Sequence, residues 1–170
     1  MSHSFRCKYL PAAAALAASA LLATAAAAAG NHAGGHGHGA SIGAPGDTAD
    51  TSRTIEIVML DNSYEPAEIA VAKGETVRFV VRNDGEFVHE FNIGTGPMHA
   101  AHQKEMMAMM ESGVLEADRI NHAMMQGGKG GHAMAHNDPN SVLLEPGQSA
   151  ELVWKFDTDA TLEFACNVPG

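Results

Sequence analysis

From Arg53 onward, apolar residues fall at every second position in short runs, and that period of two commits the chain to strands whose alternate side chains face a common core. Ile55, Ile57 and Met59 share one face of the first run, Ile69 and Val71 of the second, and Val77, Phe79 and Val81 of the third. Glu65-Pro66, Lys73-Gly74 and Asn83-Asp84-Gly85 separate them with residues that suit tight or left-handed backbone. A fourth run over residues 87–93 puts Phe87, His89, Phe91 and Ile93 on one side and Val88, Glu90 and Asn92 on the other. Residues 141–144, 150–156 and 161–166 continue the pattern, with Leu152, Trp154 and Phe156 inward in the sixth run and Leu162, Phe164 and Cys166 inward in the last. Short strands at regular spacing, with Gly- and Pro-rich turns, predict an all-β antiparallel sandwich over residues 52–170, interrupted once at 94–140.

The interruption is the only part with helical character. Pro97 can open a helix, residues 98–115 contain no proline, and Gly113 should end or weaken it. Eight Met and five His fall between Met98 and His136, a bias too strong for an ordinary connection. On a helix His99, His102 and Met106 would share a face, with Met98 at its start and Met109 and Met110 one turn further on. Such a face can pack, because Met fills irregular gaps, or it can collect Cu(I) through thioether and imidazole groups.

Ahead of the strands, two segments differ in kind. Residues 1–29 read as a signal peptide: Arg6 and Lys8 are basic, residues 11–29 are almost wholly apolar, and Ala27-Ala28-Ala29 suits a signal peptidase. Residues 30–51 should form a flexible Gly- and His-rich leader, with His32, His36 and His38 as a loose metal tract. Export would place the protein in the periplasm with no stable membrane insertion after cleavage. Removing Arg6 and Lys8 takes the formal charge from −10 to −12, which opposes nucleic-acid binding. Cys7 goes with the signal, so Cys166 becomes a lone thiol in an oxidising compartment and needs burial or a bound partner.

His89 and Cys166 are therefore the candidate primary metal ligands: two strands, far apart in sequence, each turn one donor toward the core. Mixed imidazole and thiolate donors suit copper in both of its oxidation states.

Tyr64-Glu65-Pro66, Val71-Ala72-Lys73-Gly74 and His89-Glu90-Phe91 resemble the first half of a cupredoxin. Leu144-Glu145-Pro146-Gly147 and Phe164-Ala165-Cys166-Asn167-Val168-Pro169-Gly170 resemble its second half. The similarity is to plastocyanin- and azurin-like blue copper proteins, and within them to copper-resistance cupredoxins that carry a Met- and His-rich insertion. It implies a Greek-key sandwich and a copper cofactor held by His89, Cys166, a second His and an axial Met shortly after the Cys. Neither of these last two ligands is present by Gly170, so the expectation is of a C-terminally truncated chain, its last strand missing and a sheet edge left unpaired.

The expected function is a monomeric type-1 copper protein of electron transfer or copper tolerance, working with a redox or copper-trafficking partner protein. The alternative is a copper chaperone or storage protein in which the insertion collects Cu(I). Neither is an enzyme: multicopper catalysis would need clustered His-Cys-His ligands bridging domains, and a nucleophilic Cys166 would have to meet a substrate.

Overall fold

The computed structural model describes residues 2–7, 41–127 and 138–170. Its strands are β1 (Ser2–Cys7), β2 (Ala44–Pro45), β3 (Arg53–Leu60), β4 (Ser63–Glu65), β5 (Ile69–Val71), β6 (Glu75–Asn83), β7 (His89–Gly94), β8 (Ser141–Leu144), β9 (Ser149–Phe156) and β10 (Glu163–Ala165). They form two five-stranded sheets, ordered β5-β1-β10-β7-β8 and β2-β9-β6-β3-β4. Gly74 and Gly147 carry the turns into β6 and β9 at φ +84° and +76°, a region open to glycine and costly for residues with a Cβ.

The period-two residues meet between the sheets. Ile57, Met59, Val77, Phe79, Val81, Phe91, Ile93, Trp154, Phe156 and Phe164 are all buried in one cluster. At its centre Phe91 lies 5.3 Å from Phe79 and 5.5 Å from Phe164, while the Tyr64 ring meets Phe164 edge-on at 5.2 Å.

Four expectations change. The sandwich is mixed rather than antiparallel throughout, because β3 runs parallel to β6, with Arg53 opposite Val77 and Met59 opposite Asn83. Residues 41–51 are not a flexible leader: Ala44–Pro45 pairs with β9, and the buried Trp154 donates its indole N–H to the Ile42 carbonyl at 3.0 Å. A large indole with one polar edge needs such a partner, and the preceding segment supplies it. The edge beside β10 is covered in the uncleaved chain, where β1, inside the expected signal peptide, pairs antiparallel with β10 and parallel with β5; removal of residues 1–29 would open it again. Phe87 does not follow the parity of His89; it precedes the strand and is 48% exposed.

Of the expected signal peptide, residues 1–29, only Ser2–Cys7 are described, as β1; the rest lies outside the described residues, as do His32, His36 and His38. Among the described residues no helix is long and apolar enough to cross a membrane.

The insertion forms α1 (Gly96–Glu111), with Pro97 in its first turn, and α2 (His122–Gly127). Gly113, at φ +75°, follows the end of α1, where its N–H donates to the Met110 carbonyl. Met106 and Met109 pack with Val88, Val114, Leu115 and Ile120 in a second buried cluster. The insertion thus covers the outward face of β7, which explains why every residue of that strand is buried.

Replacing Phe79 by Ala should cost about 3–5 kcal/mol of stability, measured by urea unfolding of the metal-free protein with the single tryptophan, Trp154, as reporter.

Candidate metal centre

His89 opens β7, and Cys166 follows directly after β10. These strands pair antiparallel, with Phe164 opposite Ile93 and Ala165 opposite Asn92, so Cys166 arrives beside the first residues of β7. Cys166 Sγ lies 3.8 Å from His89 Nδ1. One metal ion can bridge that separation with a bent pair of bonds of about 2.0–2.3 Å.

The remaining contacts of the pair favour a metal. His89 Nε2–H donates to Asp61 Oδ1 at 3.1 Å, which leaves Nδ1 as the lone-pair nitrogen facing the sulfur. The His89 imidazole holds the Asp61 carboxyl below its ordinary pKa, with the backbone N–H groups of Glu86 and Phe87 adding to the effect against burial. On the other side the Glu90 N–H donates to Cys166 Sγ at 3.4 Å. Burial pushes the Cys166 thiol up, opposed by backbone hydrogen bonds from Glu90 and Val168. A cation bound to the sulfur would supply the charge that this burial withholds. One soft sulfur and one borderline nitrogen, both held from behind, fit copper or a similar late transition metal.

The loop before His89 is built to hold it. Buried Asn83 donates from Nδ2 to the carbonyls of Phe87 and Leu144 at 2.8 and 2.9 Å, and accepts the Gly85 N–H at 2.9 Å. A Cβ on Gly85 would fall 2.3 Å from Asp61 Oδ1 and 2.8 Å from His89 Nε2, so only glycine lets this loop cross the Asp61–His89 contact. Sequence reading missed Asp61 and took Gly85 only as a turn residue. An acid placed just after a strand, with no metal-ligand spacing to any other residue, gives no signal in a single sequence. A cavity of about 420 Å³ opens beside the pair, lined among others by Asp61, Tyr64, Phe87, His89, Cys166 and Pro169.

Glu90, fully buried, anchors a second polar cluster on the other face of β7. Its Oε1 accepts from His102 Nε2 at 2.9 Å, Ser141 Oγ at 2.7 Å and Asn92 Nδ2 at 3.3 Å. Its Oε2 accepts the backbone and side-chain N–H of Asn167 at 3.3 and 2.9 Å. Burial would lower the His102 pKa, but Glu90, Glu105 and Asp138 outweigh it and raise it to about 9. His99 goes the other way. Burial pushes it down, and as a neutral ring it accepts from Asn167 Nδ2 at 3.4 Å and donates to the Glu163 carbonyl at 3.4 Å.

The helix face expected to carry His99, His102, Met106 and Met109 exists, and it points inward. His99, Met106 and Met109 are buried, His102 is held by carboxylates, Met110 is half-buried, and of the six candidate secondary ligands Met98 alone is exposed. Among the described residues, one group of three potential metal donors stands apart from the His89–Cys166 pair: His102, Glu105 and Asp138, with ligand atoms within 4.8 Å of one another. His102 already pairs with both of those acids, through Nδ1 at 3.1 Å to Glu105 and 3.6 Å to Asp138.

A family described as the cupredoxin-like domain matches residues 12–118, a stretch that contains His89 and ends before Cys166. The chain is 49% identical over 140 residues to the copper-resistant cuproprotein CopI of Pseudomonas aeruginosa, covering 78% of this chain and 77% of that one. It is 40% identical over 142 residues to the protein of the same name from Rubrivivax gelatinosus, covering 82% and 73%. Among solved structures, auracyanin B matches over 78% of this chain and 87% of its own with a TM-score of 0.50 at 14% identity, a likeness of fold.

Gly85→Ala should weaken metal affinity about 10–100-fold by breaking the support behind His89, as read by competitive chelator titration. A second outcome concerns pH. A group whose pKa is raised on folding, here His102 from 6.5 to about 9, stabilises fully below the lower value and loses its contribution as pH rises through the higher one. The urea midpoint of the metal-free protein should therefore fall between pH 6.5 and about 9, and this fall should be missing in His102→Gln.

Proposed function

The chain belongs to the cupredoxin-like family, and from that premise we propose that it is a periplasmic copper protein of copper tolerance, with His89 and Cys166 as two of the ligands of one copper ion in a type-1 site. The observation that carries this proposal is the 3.8 Å approach of Cys166 Sγ to His89 Nδ1, with the imidazole held from behind through Nε2 by Asp61 and the sulfur held by the Glu90 N–H. Copper bound there would exchange one electron between its two oxidation states.

The chain's own residues do the holding. Asp61 fixes the His89 tautomer, the Glu90 N–H takes up part of the charge on sulfur, and the sandwich keeps both ligands from moving apart. The N-terminal sequence, with its basic start and apolar run, supports export to the periplasm. Exposed Phe87, on the cavity beside His89, gives a redox or copper-trafficking partner protein an apolar place to approach.

Binding is favoured over catalysis. Burial raises the Cys166 thiol, whereas a nucleophilic cysteine requires the opposite shift. Among the described residues, the helix face of the insertion favours packing over collection of Cu(I), because His99, Met106 and Met109 are buried and His102 is held by carboxylates.

The full-length protein titrated with Cu(II) should bind one tight equivalent and show strong visible absorption from sulfur-to-copper charge transfer. Cys166→Ala should abolish that absorption; its persistence in the variant, or its absence from the intact protein, would overturn the proposal.

A further inference from the structure

Glu90 has no solvent exposure and sits one residue after His89. An ionised carboxylate in such a place is destabilised by several kcal/mol unless charge and hydrogen bonds compensate, at the order of magnitude known for buried ions. Ser141, Asn92 and Asn167 donate to it as neutral groups. His102, from α1, brings a charge as well, at 2.9 Å.

What Glu90 holds in turn is the sulfur side of the metal centre. Its backbone N–H donates to Cys166 Sγ, and its carboxylate takes both N–H groups of Asn167, the next residue. One residue thus ties the strand bearing His89 to the segment bearing Cys166. His102 stands behind it, outside contact with either ligand.

We propose that His102 is a positioning residue for the metal centre: by holding Glu90 from the insertion helix, it locks the Cys166–Asn167 segment against β7 and so sets where the sulfur donor stands. The inference rests on the reading of His89 and Cys166 as copper ligands. It gives the insertion a task other than collecting metal, as an arm that reaches the primary site through a buried ion pair. Among the described residues, the groups facing His102 are Glu90 of β7, Glu105 of its own helix and Asp138 ahead of β8, with the neutral His99 beside them.

The test compares the full-length wild type with His102→Ala and His102→Gln, the latter keeping a donor of similar reach without the charge. In the copper-free proteins, amide hydrogen exchange is followed at Asn167 and, as a control, at Phe79 and Val80 in β6. His102→Ala should speed exchange at Asn167 by about tenfold or more with β6 unchanged, and His102→Gln should fall between it and the wild type. After copper loading, the sulfur-to-copper band and the reduction potential should shift in the same order. Unchanged exchange at Asn167, or acceleration equal in β6, would overturn the proposal, and His102→Gln carries the same comparison should His102→Ala fail to fold. A wild type that takes up no copper at His89 and Cys166 would remove the copper reading, while exchange at Asn167 would still decide whether His102 holds that segment.

Discussion

The register between β7 and β10 is the constraint on which the site depends. Phe164 opposes Ile93, and its ring packs on Phe91 and Tyr64, so the aromatic core fixes which residues of the two strands face each other. A slip of one residue would turn Phe164 out of the core and carry Cys166 to the wrong side of the sheet. The energy that builds the sandwich is therefore the energy that brings sulfur to imidazole. No separate device is needed to assemble the pair, only devices to refine it: Asp61 behind the imidazole, and the Glu90 N–H on the sulfur.

β7 carries a different chemistry on each face. Its inward residues, Phe91 and Ile93, belong to the main core, while its outward residues Glu90 and Asn92 would ordinarily meet water. The insertion covers them instead, so the low-dielectric interior extends to both sides of the strand that carries His89. A buried carboxylate results, and a network of donors from four parts of the chain compensates it. The Met residues of α1 contribute bulk to that cover, as Met106 and Met109 seal the second cluster against Val88.

Much of this was legible in the sequence. The strands from Arg53 on, the inward parity of Phe91, Phe164 and Cys166, the helix opened by Pro97 and its end at Gly113 all follow from local rules of period, turn and cap. What could not be read depends on placement in three dimensions. Asp61 lies 28 residues before His89 and meets it only because β3 and β6 run side by side, a parallel pairing that alternation alone does not distinguish from an antiparallel one. The helix face of His99, Met106 and Met109 was visible as a stripe, but periodicity does not say whether a stripe looks at solvent or at another layer. Ala44–Pro45 is too short to show a period in the sequence, and in the fold it pairs with β9 beside Ile42, whose carbonyl takes the Trp154 indole N–H.

X-ray absorption at the copper edge of the loaded full-length protein tests the central claim most directly, since it counts donor atoms without relying on colour. A single copper with one short sulfur bond and imidazole nitrogen in its first shell, the sulfur lost on replacing Cys166, is the predicted result. A shell made only of nitrogen and oxygen, or one dominated by thioether sulfur and unchanged without Cys166, would contradict it.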